Sequence, residues 1–491
     1  MESKSTIDRT IFLQQDYEAS MGADWPSYDD FKNGCEIPSS ILAELEEMYV
    51  QTKTIYNSSD YNSEPDYKNL TDREKFLLTK SKYFCILPWI HLSSSPDGST
   101  LPCCYADYKH PVGNLRKNTF NEIWNQGPYK LIRKNMLEEV PCKECNTCYA
   151  AEKYGIYSKR KESNKWYGHH IKEVQKTKED GFTDNFKITY LDIRFSNLCN
   201  FKCRTCGPGF SSNWYHDYIK LHNKKPKSIA RPDEDLHMIN VPIDNEDFLF
   251  DQIEPHIPYF EEIYFAGGEP LIMKEHYRLL DKLIEYNKTD IRLIYNTNFS
   301  ELRYKDKHVF DYWEMFKSVR VGASLDGSDL RAEYIRKGAD WNETVENRRS
   351  MIEKVPNVEF WITSTVSAMN VLHILDFHKQ MVDEQMISAA EKLTVSTCLW
   401  PEHYRPNIFP RDFKNKVIVP AYEKHIEWLQ SHDGLGECTN KFINLLNFIK
   451  TDSENSLYSK FLNETSNLDE IRNENFWEIF PEFHSLNNNG L

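Results

Sequence analysis

From residue 187 onward the chain alternates between strand-like and helix-like patterns, and this alternation restricts its fold more than any other feature. Short β-prone runs recur as "ITYLDIRFS", "EIYFAGG", "IRLIYNTN", "VRVGASLDG", "VEFWITSTVSA" and "LTVSTCLW". Helical patterns such as "KEHYRLLDKLIEYNK" and "WNETVENRRSMIEKV" separate most of them. Repetition of this kind implies a parallel sheet with crossover helices. Six runs rather than eight predict an α/β fold built on an open, partial (β/α)6 barrel over residues 187–405. Parallel α/β sheets place ligands at the C-terminal ends of their strands, so chemistry is expected just after each run.

The first such position holds "FSNLCNFKCRTCGPG", residues 195–209, with Cys199, Cys203 and Cys206. Cysteines elsewhere are also grouped: of twelve, Cys85, Cys103, Cys104, Cys142, Cys145 and Cys148 form a second set, and only Cys35, Cys398 and Cys438 stand apart. The N-terminus "MESKSTIDRTIFLQQ" lacks a basic-then-apolar export signal and no 18-residue apolar run occurs, so a cytoplasmic protein without membrane spans is expected. Disulfides seldom persist in that compartment, and two tight cysteine groups there point to metal or cluster ligation. The net charge of −15 argues against bulk nucleic-acid binding, which rests on neutralising phosphates. Three thiolates leave one iron of a [4Fe–4S] cube open, as catalytic metal sites keep one position free. A zinc site completed by a distant His or Cys fits the same spacing.

At the second strand end stands "AGGEP", Ala266–Pro270, where glycines allow a ligand to approach the backbone closely. A Cys-x3-Cys-x2-Cys loop after strand one followed by GGEP after strand two resembles the radical S-adenosylmethionine (radical SAM) enzymes. "NTN", "SLDGS" and "YIRKG" follow in family order, and the resemblance covers roughly residues 185–400. It implies a TIM-type partial barrel in which Cys199, Cys203 and Cys206 hold the cluster and SAM takes the open iron. Gly267, Gly268 and Glu269 would meet the SAM amino group, and Ser324 and Arg336 its carboxylate, which suits the guanidinium fork. Asn298, Asp326 and Asn370 are candidates for ribose or substrate contact, or for turn residues. The residue before the third cysteine, commonly aromatic in that family, is Thr205 here, which puts the adenine contact in doubt.

Cys85, twelve residues, Gly98, four residues and Cys103 fit the opening of the auxiliary-cluster modules called SPASM and twitch. The resemblance implies a second [4Fe–4S] cluster on Cys85, Cys103, Cys145 and Cys148, with Cys142 or Cys104 as substitutes. A structural zinc site on four cysteines is the alternative. Such modules usually follow the barrel; this one precedes it. "FCILPWIHLSSSPDGSTLPCC" reads as a strand, a Pro-Asp-Gly turn and a returning strand, and adjacent residues on a strand face opposite ways, so Cys103 and Cys104 should not share a cluster. "TFNEIWNQGPYKLIRKNMLEE" reads as a helix interrupted near Gly127 and Pro128.

The expected division is an N-terminal polar and helical extension (1–80), a small α+β cysteine-rich domain (81–155), a connector (156–186), the partial barrel (187–405) and a helical C-terminal extension (406–491). A helix is expected over "PSSILAELEEMYVQTK", capped by Ser39 or Ser40. The basic, aromatic segment 152–180 reads as a solvated connector helix, or else as a grip for an acidic partner.

The resemblance implies an enzyme that reductively cleaves SAM to a 5′-deoxyadenosyl radical, which removes hydrogen from a substrate, with flavodoxin or ferredoxin as electron donor. Relatives modify peptides or proteins, or act on sugars and aminocyclitols. Cys398 is either a hydrogen donor or a core residue. The rival reading is a non-catalytic iron–sulfur or zinc protein.

Overall fold

The computed structural model describes residues 69–153, 158–228, 231–434 and 436–487. The N-terminal helix expected around residues 38–53 lies outside the described residues, as do the last four positions of the frayed end expected at the C-terminus. All six expected barrel strands form: β4 (Tyr190–Ile193), β5 (Glu262–Phe265), β6 (Arg292–Thr297), β9 (Ser318–Ser324), β10 (Glu359–Val366) and β11 (Leu393–Thr397). They pair in parallel, in chain order. Consecutive residues such as Leu293, Ile294 and Tyr295 are all buried, as a sheet covered on both faces requires. Helices such as Lys274–Glu285 and Trp341–Lys354 make the crossovers, and a short separate hairpin pairs β7 (Arg303–Tyr304) with β8 (Lys307–His308).

The cysteine-rich segment continues this sheet. Strands β1 (His91–Ser94), β2 (Ser99–Leu101) and β3 (Gly113–Asn114) extend it to nine strands in the order β11-β10-β9-β6-β5-β4-β1-β2-β3. β1 runs parallel to β4, from His91 opposite Tyr190 to Ser94 opposite Ile193, and so covers an edge of unpaired backbone groups. The Pro-Asp-Gly turn is present, with Gly98 at φ 85°, but the flanking strands are shorter than expected. Pro88 lies in a 3-10 turn, Leu87–Trp89, and β2 stops at Leu101 because Pro102 has no N–H for the ladder. Cys103 and Cys104 therefore sit beyond the strand, not on it. The interrupted helix appears as Phe120–Trp124 and Gly127–Leu137, with Pro128 in the first turn of the second.

The first part of the connector is buried, whereas residues 175–180 are mostly exposed as expected. Helix Lys159–Tyr167 buries Lys159, Arg160, Glu162, Ser163, Asn164 and Tyr167. Its polar side chains serve other elements: Arg160 bonds Glu152 (2.7 Å) and the carbonyls of Ser81 (3.1 Å) and Phe84 (2.7 Å), and Asn164 bonds Ile86 N (2.9 Å) and Phe84 O (3.0 Å). Apolar periodicity reveals a helix's hydrophobic stripe but not polar groups buried with partners, which is why the segment read as exposed. Lys159 and Glu162 pair at 3.3 Å, and at the N-terminal strand ends Arg292 pairs with Glu262 (3.0 Å) and Arg320 with Glu359 (2.7 Å). Helices Val419–His432, Glu437–Lys450 and Asn455–Arg472 form the C-terminal extension. Among the described residues, no helix is long and apolar enough to cross a membrane.

Burial pushes the Glu162 carboxyl up to about 8, with Lys159 opposing the shift and Glu262 adding to it. Between the ordinary value of 4.5 and about 8 the folded chain holds a proton that the unfolded chain has released, so this group makes stability fall as pH rises through that window. Glu162→Gln is expected to flatten the decline, measured by denaturant unfolding over a pH series. An unchanged slope would contradict the assignment.

Candidate functional site

The three-cysteine loop leaves the C-terminal end of β4 and is held by backbone bonds to a distant segment. Lys202 N–H donates to Lys337 O (2.9 Å) and Arg204 N–H to Ile335 O (2.8 Å). This pairing brings Arg336 Nη1 to 3.8 Å from Cys203 Sγ. Gly338, at φ 110°, admits the contact, since a Cβ there would come within 3.0 Å of Asn200 O. Within the loop, Cys206 N–H donates to Cys203 O (3.0 Å), Trp214 Nε1–H to the same oxygen (2.6 Å), and Cys199 N–H to Ser212 Oγ (3.3 Å).

The GGEP turn presses on the other side of the loop. Gly268 has φ 56°, and a Cβ there would lie 2.3 Å from Leu198 O, so only glycine fits. Glu269 N–H donates to that same oxygen at 2.8 Å. The Glu269 carboxylate is fully buried and faces β6, accepting from Thr297 Oγ1 (2.7 Å), Asn298 N (2.6 Å) and Leu271 N (3.0 Å). Burial pushes it up to about 7 despite these bonds. Asn298 in turn donates from Nδ2 to Asn200 Oδ1 (2.8 Å) and accepts from Ser300 Oγ (2.8 Å). The ends of β4, β5 and β6 are thus cross-linked around the cysteines.

Arg336 Nε pairs with Asp326 Oδ2 at 2.8 Å, and Asp326 Oδ1 accepts from Thr365 N (2.7 Å). Burial opposes the charge on Arg336, but Asp326 and Cys203 outweigh it and raise its pKa. Asn370 bonds Asp326 O (2.8 Å), Thr365 O (3.0 Å) and Ser367 N (2.7 Å), which makes it a turn builder joining β9 to β10. Ser324 ends β9 half-buried, and among the described residues no hydrogen bond ties its side chain to the cysteine loop.

The residues missed in sequence hold the loop from behind. Arg204, between Cys203 and Cys206, is fully buried; its Nη2 bonds Asp469 and Glu474 (2.6 Å), and its guanidinium lies 3.8 Å from the Tyr334 ring centroid. Lys202 pairs with Asp217 (2.9 Å), which also takes Arg472 Nε (2.9 Å), and Lys337 pairs with Glu474 (3.0 Å). The two cations inside the cysteine motif hinted at buried carboxylates, but Asp469 lies 265 residues away and no local pattern points to it.

In the second group, all six pairs among Cys85, Cys103, Cys145 and Cys148 are close enough for the charge of one thiolate to raise the pKa of another. Cys142 acts on Cys145 and Cys85 and its thiol donates to Ile132 O, whereas Cys104 lies by Asp192, Lys159 and Arg194. Burial is the main force raising these thiols, Cys85 to about 12 and Cys148 to about 11. A tetrahedral zinc with Zn–S bonds of about 2.3 Å draws its sulfurs to within about 3.8 Å of one another. Among the described residues no three thiols gather within 4.8 Å of one another. The donors are all sulfur, as iron–sulfur clusters require. Beside Cys206 a cavity of about 400 Å³ is lined by Thr205, Phe210, Leu236, Trp400, the β1–β2 turn and Tyr108. Tyr108 OH accepts from Arg194 Nη1 at 3.0 Å.

Asp469→Asn with Glu474→Gln strips the buried Arg204 of its counter-charges. The double variant is expected to lose about 3–5 kcal/mol in chemical denaturation. Adding Arg204→Met removes the stranded charge and restores most of the stability. A double variant as stable as the parent would rule out the clamp.

Residues 85–149 match the family model SPASM, described as an iron–sulfur cluster-binding domain. No curated protein matches the chain. Among solved structures, a polyhistidine-tagged anSMEcpe with bound AdoMet is similar at 19% identity and TM-score 0.32, covering 50% of this chain and 59% of that one. Native anSMEcpe with bound AdoMet and Cp18Cys peptide is similar at 17% identity and TM-score 0.31, covering 50% and 58%. SuiB of Streptococcus suis bound to S-adenosylmethionine is similar at 14% identity and TM-score 0.32, covering 64% and 63%. The chain thus spans less than two thirds of each of these structures. Residues 85–149 thus match an iron–sulfur cluster-binding domain model, and in this chain they precede the Cys-x3-Cys-x2-Cys loop and the GGEP turn.

Proposed function

We propose that this protein is a radical SAM enzyme that modifies a peptide or protein, with its SAM site on a partial barrel (187–405) and its auxiliary cluster in the preceding module (81–155). The observation that carries the reading is the direct bonding of the cysteine loop to both the GGEP turn and the Arg336 segment. Cys199, Cys203 and Cys206 would hold one [4Fe–4S] cluster, to which SAM would bind, and Cys85, Cys103, Cys145 and Cys148 would hold a second. When bound, cluster and SAM together supply the 5′-deoxyadenosyl radical that takes a hydrogen atom from substrate.

The chain's own residues orient and shield. Because the Glu269 carboxylate is engaged by β6, the GGEP turn meets the SAM amino group through the backbone of Gly267 and Gly268, and Glu269 fixes the turn. Arg336, charged and steadied by Asp326, meets the SAM carboxylate with Ser324. Asn298 acts through the loop by holding Asn200. The cavity beside Cys206, lined by the β1–β2 turn, Tyr108 and residues of the cysteine loop, receives the substrate. A cytoplasmic flavodoxin or ferredoxin supplies the electron.

Anaerobic reconstitution is expected to load about eight irons per chain, as two cubane clusters require, and to yield 5′-deoxyadenosine from SAM with a low-potential reductant. Cys203→Ala abolishes the product, while added peptide mixtures raise its yield above that seen with sugars. Zinc in place of iron, or loaded clusters without SAM cleavage, would overturn the enzyme reading. Equal stimulation by sugars would move the substrate to small molecules.

A further inference from the structure

The motif "WYGHH", at the end of the segment first read as a connector, has no part in the cysteine chemistry. His169 and His170 close a 3-10 turn, Gly168–His170, directly after the buried helix Lys159–Tyr167. Facing them is Glu261, one residue before β5. Its backbone is fixed on both sides: its N–H donates to Thr189 O (2.8 Å) and its carbonyl accepts from Arg292 N (2.9 Å). Both imidazoles lie against its carboxylate, His169 Nε2 at 3.0 Å from Oε2 and 3.3 Å from Oε1, and His170 Nε2 at 2.9 Å from Oε1. Their ring centroids are 4.2 Å apart at an interplanar angle of 42°. All three ligand atoms lie within 4.8 Å of one another, and this is the one such group among the described residues.

We propose that His169, His170 and Glu261 form a divalent transition-metal site, separate from both cysteine groups and selective for Zn2+ or a neighbouring first-row ion. Two imidazoles and one carboxylate suit zinc, whereas magnesium and calcium prefer all-oxygen shells. The three groups are part-exposed, which leaves the remaining coordination position to water and gives the ion a route in. The site lies at the base of the sheet. The cysteine loop follows the C-terminal end of β4, whereas Glu261 precedes the N-terminal end of the parallel neighbour β5. A bound ion would fasten the turn after the buried helix to the strand edge, and since it binds only the folded arrangement it would raise stability.

The test uses the full chain with its iron sites filled, so that free thiols do not take up zinc. After chelation, exposure to excess Zn2+ and gel filtration, the parent is expected to carry about one zinc per chain, the occupancy of a single three-ligand site. Its thermal midpoint should rise with Zn2+. His169→Ala/His170→Ala and, separately, Glu261→Gln should retain no zinc and show no rise, with iron content and 5′-deoxyadenosine yield equal to the parent. Glu261→Gln keeps the side-chain shape and reports even if the double variant folds poorly. Zinc retained equally by parent and variants, or by neither, would overturn the proposal, and neither result depends on whether the chain cleaves SAM.

Discussion

A guanidinium with no exposure to water, set in the middle of the three-cysteine loop, dictates much of this structure. Arg204 cannot be buried as a charge unless carboxylates meet it, and those carboxylates come from Asp469 and Glu474 at the far end of the chain. The C-terminal helices are therefore drawn onto the back of the cysteine loop, and Lys202, Asp217 and Arg472 repeat the device a turn away. With its back fixed by ion pairs, its middle by backbone bonds to residues 335–337 and its front by the GGEP turn, the loop has little freedom left. Its thiols are presented in a set arrangement rather than gathered by whatever binds them.

The parallel sheet was legible because each strand is a short β-prone run rich in apolar residues and most crossovers have a helical period; residues 291–298 and 319–327 illustrate the contrast with residues 274–288. The cysteine loop and GGEP were legible because close backbone approach limits Gly268 to glycine. The burial of helix Lys159–Tyr167 was not, since Arg160 and Asn164 satisfy backbone groups of residues 81–86 that no sequence period encodes. Nor was the inward turn of Glu269 and Asn298, whose partners Thr297 and Asn200 become neighbours only when three strand ends meet. Pairing of β1 with β4 is a contact across nearly a hundred residues, and either strand alone reads the same whatever lies beside it.

Two cysteine groups, one flanking strands β1–β3 and one after β4, are attached to one hydrogen-bonded sheet rather than to two bodies joined by a tether. Motion of one group relative to the other requires bending or breaking a ladder, so their separation is a property of the fold. Cys104 lies by Asp192 and Arg194, while Cys103 feels Cys148 and Cys85 as well as Cys104.

The hairpin at the edge of β4 also bears on how such a protein could arise. An open strand edge accepts any partner of matching length and polarity, and it is indifferent to whether that partner was synthesised earlier or later. In this chain the cysteine-rich module comes first, and the β1–β4 ladder closes the joint between it and the parallel strands. Circular permutation, with old ends fused and new ones cut elsewhere, would preserve every interstrand bond while rearranging the reading order of the gene.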